Sequence, residues 1–206
     1  MAAIIGLTGG IGVGKTTVAT LFGQRGALVI DVDGLGREVL EPGGGAYGGV
    51  VDQFGENIVD DDGHIDRRAL AAEVFGSHNR LQELEAISHP AINARLADLV
   101  DASSAALIVL DMAVLVESRL GWINGAPRYR WVVVVEAPPE VRLPRLIARG
   151  MTADDARARM AAQGSNLERR ERADLVVVND ASEAELDHDV TRLWPTIEAW
   201  IAQAGA

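Results

Sequence analysis

The chain has no cysteine, a single lysine, few aromatics and no long apolar run, and each shortage removes a class of function. Without cysteine there is no disulfide framework, no thiol nucleophile and no thiolate zinc cluster. The four histidines (His64, His78, His89 and His188) are scattered without metal-ligand spacing. No apolar stretch approaches the ~20 residues of a membrane span. Met1-Ala2-Ala3-Ile4-Ile5 lacks the basic leader of a signal peptide, so a cytoplasmic protein without membrane contact is expected. A net charge of −11 argues against nucleic acid as a partner. With 48% apolar but only 4% aromatic residues, the core of these 206 residues must be mostly Val, Leu, Ile and Ala.

The one lysine stands in the most telling place. Eighteen other cationic side chains are arginine, whereas Lys15 belongs to Gly9-Gly10-Ile11-Gly12-Val13-Gly14-Lys15-Thr16. That stretch fits G-x-x-x-x-G-K-[ST], the loop that cradles phosphates, with an apolar strand (Ala3 to Leu7) ahead and a helix start (Thr17 to Phe22) behind. Glycines let backbone N–H groups wrap a phosphate, and the helix N-terminus adds partial positive charge. A compact ammonium on a flexible stem suits the β- and γ-phosphates, and the Thr16 hydroxyl suits Mg²⁺.

Ala27 to Ile30 reads as a second strand running into Asp31-Val32-Asp33, with Gly26 as the left-handed cap between. A right-handed crossover makes the two strands parallel, so residues past their carboxyl ends line one crevice. Asp33 is the stronger functional candidate, although a helix cap with Gly34-Leu35-Gly36 as a turn also fits; Asp31 is undecided. Arg37 to Leu40 predicts a short helix, and Gly43 to Gly49 a flexible connector. Asp60-Asp61-Asp62-Gly63 predicts a solvated turn rather than a calcium loop. Residues 66–102 read as helical, with Asp66 as N-cap and a break at Ser88-His89-Pro90. A lone His at such a joint suits capping or a buried hydrogen bond better than catalysis. Further strands are read at Ala105 to Leu110, Trp131 to Val135 and Leu175 to Val178, and Ser182 to Glu185 is a capping box. Asp111, closing an apolar strand, suits a carboxylate near Mg²⁺.

Positive charge gathers late. Between Arg142 and Arg172 eight arginines face four acids, as a lid over a nucleotide requires; Arg145 and Arg149, four apart, rank first. Pro144 should kink their helix. The expected fold is α/β: a doubly wound, mainly parallel five-stranded sheet (core about 1–40, 105–140 and 173–206) with a helical substrate lobe (about 41–104) and an Arg-rich lid (about 141–172).

The ordered set L-T-G-G-I-G-V-G-K-T (7–16), V-I-D-V-D (29–33), R-E-V (37–39), D-G-H-I-D-R-R-A-L (62–70), H-P (89–90), L-V-E (115–117), Arg145 with Arg149, A-A-Q (161–163) and A-D-L-V-V-V-N (173–179) resembles the dephospho-CoA kinases nearly end to end. The resemblance implies ATP- and Mg²⁺-dependent phosphorylation of the ribose 3′-hydroxyl of dephospho-CoA. It assigns Asp33 as the base, and Gly10, Gly12, Val13, Gly14, Lys15, Thr16 and Thr17 as the ATP phosphate site. Arg145 falls on the transferring phosphate and Asn179 near the adenine. Thr8, Asp33, Arg37, His89 and Glu117 fall on the acceptor. Ala113 and Val116 stand where that family usually has Pro and Phe. Another small-molecule or nucleoside monophosphate kinase, or a nucleotide-binding module without catalysis, shares the loop. A GTPase does not fit, because its N-K-x-D needs a second lysine.

Overall fold

Short apolar runs become the strands of one all-parallel sheet, and the three central ones are buried on both faces, which leaves no room for alternation. The computed structural model describes residues 1–113, 115, 120–123, 125–163 and 166–206. It divides into two compact units, Met1–Asp31 with Ser103–Ser118 and Pro127–Ala206, and Val32–Ala102 with Arg119–Ala126.

The first unit holds the sheet. Its strands β1 (Ala3–Gly9), β2 (Leu28–Asp31), β3 (Leu107–Asp111), β6 (Trp131–Glu136) and β7 (Leu175–Val178) lie in the order β2-β3-β1-β6-β7, every pairing parallel. The two-residue strands β4 (Trp122–Ile123) and β5 (Ala126–Pro127) pair separately. All residues of β3 and β6 are buried. Helices α1 (Lys15–Gln24), α6 (Pro139–Ala148), α7 (Ala153–Ala162), α8 (Asn166–Glu171) and α9 (Glu183–Gly205) complete the unit. Ser182 opens α9 through the expected capping box. Leu186, Val190, Ile197 and Trp200 bury its apolar stripe, and Trp200 stacks on Trp131 of β6 with centroids 5.3 Å apart. Because β1 is central, with β2 and β3 on one side and β6 and β7 on the other, the loop after β1 sits in the crevice that such sheets use for ligands.

The second unit is helical: α2 (Val32–Glu38), α3 (Tyr47–Phe54), α4 (Arg67–Val74) and α5 (His78–Asp101). Three expectations are corrected here. The short helix expected at Arg37 to Leu40 is α2, which begins earlier at Val32 and ends at Glu38, so the alternative turn at Gly34-Leu35-Gly36 is helix. The stretch read as a connector already enters α3 at Tyr47, whose hydroxyl donates to the Gly63 carbonyl at 2.6 Å. The break in 66–102 falls at Phe75-Gly76-Ser77, where Gly76 takes φ 79° and Ser77 caps the next helix through Arg80 N–H. α5 then runs unbroken through Pro90. Ser88, Ile92, Leu96 and Val100 form its buried face, whereas Pro90 lies on the exposed one. The ring meets solvent there, and packing of the other face holds the helix together despite the lost donor. Asp66 caps α4 as expected, accepting from Arg68 N–H at 2.8 Å. The Asp60 carboxylate organises its turn by accepting from Asp62 and His64 N–H at 3.1 and 2.9 Å. No helix among the described residues is long and apolar enough to cross a membrane.

Candidate active site

β1 ends at Gly9, and the chain then turns through two left-handed residues, Gly12 (φ 80°) and Gly14 (φ 89°), into α1. A side chain at Gly9 would put its Cβ 2.5 Å from the Val135 carbonyl oxygen, so the neighbouring strand admits only glycine. Lys15 and Thr16 are the first two residues of α1, where the first-turn N–H groups and the helix dipole favour an anion. Lys15 Nζ pairs with Asp111 at the end of β3, which lies opposite Leu7 in the register. Asp111, expected beside Mg²⁺, thus holds the loop's ammonium in this structure.

Asn179, just past β7, organises the far side of the loop. Its Nδ2 donates to the Val13 carbonyl at 2.8 Å, and Arg145 of α6 donates to its carbonyl and Oδ1, both at 3.1 Å. A Cβ on Gly14 would lie 2.1 Å from Asn179 Nδ2. Gly14, Thr17, Arg145, Arg149, Asn179 and Glu183 are among the residues lining a cavity of about 340 Å³ beside the loop, within the range of small-ligand sites.

Arg142 and Gln163 are contacts that sequence reasoning did not isolate. Arg142 was one arginine of eight and Gln163 only part of a motif. The Arg142 side chain is buried against the loop, with Nε donating to the Ile11 carbonyl at 2.8 Å. Burial, and then the charge of Arg169, push its guanidinium down from the ordinary arginine value. Gln163 Oε1 accepts from Ile11 N–H at 2.7 Å. The signal was there in one respect: Arg142 lies three residues before Arg145, on the same face of α6. Two other arginines serve the surface, Arg157 pairing with Asp154 and Arg159 with Asp155. Glu136, buried at the end of β6, takes Arg170 of α8 bidentately, Nε donating to Oε1 at 2.8 Å and Nη2 to Oε2 at 2.5 Å, which raises the Arg170 value.

Thr8 is fully buried, its hydroxyl donating to the Ala113 carbonyl at 3.3 Å. Thr16 is exposed at the loop's mouth. The first unit therefore assembles Thr8, Gly10, Gly12, Val13, Gly14, Lys15, Thr16, Thr17, Arg145 and Asn179 around one loop. In the second unit, Asp33 and Arg37 stand one turn apart on α2. His89 stands on α5 one turn before Ile92, whose Cδ1 would lie 3.6 Å from a Cβ on Gly36 of α2. His89 is thus mid-helix rather than at a joint. Asp31 is the exposed last residue of β2, opposite Asp111. Glu117 and Val116 lie outside the described residues. Among the described residues no cluster of three His, Asp or Glu side chains could cage a metal ion.

A family model described as dephospho-CoA kinase matches residues 3–185. A dephospho-CoA kinase of Streptomyces avermitilis is 44% identical over 192 residues, covering 92% of this chain and 91% of that protein. One of Thermobifida fusca is 39% identical over 196 residues, covering 94% and 96%. The crystal structure of TT1252 from Thermus thermophilus superposes with a TM-score of 0.79 at 33% identity, covering 96% of this chain and 97% of that one.

Proposed function

The chain belongs to the dephospho-CoA kinase family, and from that premise we propose that it transfers the γ-phosphoryl group of ATP to the ribose 3′-hydroxyl of dephospho-CoA, giving coenzyme A. The observation that carries the reading is the extent of the family match: residues 3–185 span the phosphate loop and the helical unit alike, not the loop alone. The proposed setting is the cytoplasm.

In this reading Gly12 to Thr17 bind the ATP phosphates through backbone N–H groups and the N-terminus of α1. Lys15 exchanges the Asp111 carboxylate for β- and γ-phosphate oxygens, and Asp111 keeps the ammonium aimed until then. Asn179 shapes the cavity proposed for the adenine, and Arg145, which lines the same cavity, is assigned to the transferring phosphate. Mg²⁺ would be held by the exposed Thr16 hydroxyl, by phosphate oxygens and by water, an arrangement that needs no all-protein cage. The chemistry such an ion would supply there is neutralisation of phosphate charge. Asp33 orients the acceptor hydroxyl and takes its proton, with Arg37 and His89 assigned to the rest of the acceptor. Transfer of this kind asks the protein for position and electrostatics more than for covalent chemistry.

The test is incubation with ATP and Mg²⁺ over a panel of dephospho-CoA, nucleoside monophosphates and other alcohols. The expected product is the 3′-phosphorylated dephospho-CoA, well ahead of any other. Faster ADP formation with a nucleoside monophosphate would overturn the substrate assignment.

A further inference from the structure

We propose that Gln163 is a positioning residue that couples helix α7 to the shape of the phosphate loop. The proposal rests on the kinase reading above but concerns a residue that reading does not use. Two side chains hold the two peptide planes that meet at Ile11. Gln163 Oε1 accepts from Ile11 N–H at 2.7 Å, and Arg142 Nε donates to the Ile11 carbonyl at 2.8 Å. Arg142 also approaches Gln163 Oε1 at 3.5 Å, so the pair closes on itself. A trans peptide points its C=O and N–H in opposite directions. Fixing Ile11 N–H on Gln163 therefore turns the Gly10 carbonyl the other way, where it accepts from Val13 N–H at 3.3 Å. Fixing the Ile11 carbonyl on Arg142 turns Gly12 N–H away from Arg142. Both planes are set from outside the loop.

Gly10 belongs to the same device. A Cβ there would lie 2.9 Å from an Arg142 guanidinium nitrogen and 3.0 Å from Gln163 Oε1, so the close approach depends on glycine at a position the phosphate-loop pattern leaves open. Gln163 directly follows α7, of which Ala156 alone is buried. A helix with so little apolar anchorage has low local stability, and its polar tether decides where it rests. Holding α7 by Gln163 both shapes the loop for phosphate and keeps water from the transferring group. Losing the tether should weaken ATP binding and let water compete with the acceptor.

The test compares wild type with Gln163→Met, which keeps the volume and removes the acceptor, and with Gly10→Ala, which drives Arg142 and Gln163 off the loop by a different route. ATP affinity is measured by calorimetry without any acceptor, and ADP is measured against phosphorylated product with one. Both variants are expected to bind ATP about tenfold more weakly, the worth of one hydrogen bond. Both are also expected to release ADP in excess of product. Wild-type affinity and wild-type ADP-to-product ratio in Gln163→Met would overturn the proposal. So would a fall in activity with that ratio unchanged, which is what general destabilisation produces. Because the ATP titration needs no acceptor, it tests the tether even if dephospho-CoA is not the substrate.

Discussion

The two units carry function in different materials. In the first, the phosphate loop is a backbone object: left-handed Gly12 and Gly14, a neighbouring strand that admits no Cβ at Gly9, and peptide planes set by Arg142 and Gln163. In the second, the proposed site consists of side chains, Asp33 and Arg37 on α2 and His89 on α5, presented by ordinary helices. Backbone sites fail by steric strain when altered. Side-chain sites keep their fold and lose their chemistry.

If this division holds, the largest effect on turnover falls on the second unit and leaves ATP binding alone. Asp33→Asn keeps size and polarity but cannot take a proton, so kcat should fall about 10²–10⁴-fold, the usual share of a general base. Calorimetric ATP affinity should stay near wild type; a matching loss of affinity would place Asp33 on the nucleotide and end the division of labour. Lys15→Ala comes next. It removes one charge-stabilising donor, and turnover should drop roughly 10²–10³-fold. It also leaves Asp111 without the ammonium it holds. Steady-state ADP release measures both variants, and near-normal release by Lys15→Ala would refute the assignment of the phosphate site.

The same contrast governs what could be read from the sequence. The loop, the strand ends at Asp31 and Asp111, the Asp66 and Ser182 caps and all five sheet strands were legible, because motif spacing and continuous apolar runs are local signals. The helical unit was less so. Pro90 was read as a break because proline disfavours helix locally, yet burial of Ile92, Leu96 and Val100 on the opposite face carries α5 past it. The short helix expected at Arg37 to Leu40 is instead α2, which begins at Val32 and takes in Gly34 and Gly36, because neighbouring glycines hide a helix from propensity. Arg142 was hidden for another reason. Composition counts arginines but cannot tell which one folds back onto Ile11, since that depends on where α6 docks.

One substitution made in both units gives the third test. Gly14→Ala forces a side chain into a left-handed residue and sets its Cβ 2.1 Å from Asn179 Nδ2, displacing the group that binds the Val13 carbonyl. Strain of this kind costs about 1–3 kcal/mol, before the lost hydrogen bonds are counted. A lower urea midpoint and weaker ATP binding should appear together. Gly36→Ala should do the reverse. Its Cβ meets Ile92 Cδ1 at an ordinary 3.6 Å within α2, and alanine favours a helix over glycine by about 1 kcal/mol. Its midpoint should hold or rise. Equal losses in the two variants would show that glycine is needed in both units for the same reason.

The smallest effect lies in the second unit, away from the proposed chemistry. His64 Nδ1 meets Glu41 Oε2 at 2.9 Å, and the hydrogen bond to Glu41 raises the imidazole above its ordinary value, helped by the charges of Asp60 and Asp62. Because the folded value is the higher one, the stabilisation is fully present below the unfolded value of about 6.5 and fades as pH rises through the folded value. Both side chains are about half exposed, so solvent screens the pair and the effect should be small. Urea midpoints measured from pH 6 to 8.5 should decline slightly more steeply for wild type than for His64→Gln, and the difference should shrink in high salt. Identical pH profiles would mean the pair adds nothing to folding. A profile in which wild type gains stability with rising pH relative to His64→Gln would mean that His64 folds in its neutral form, against the charge of its three acidic neighbours.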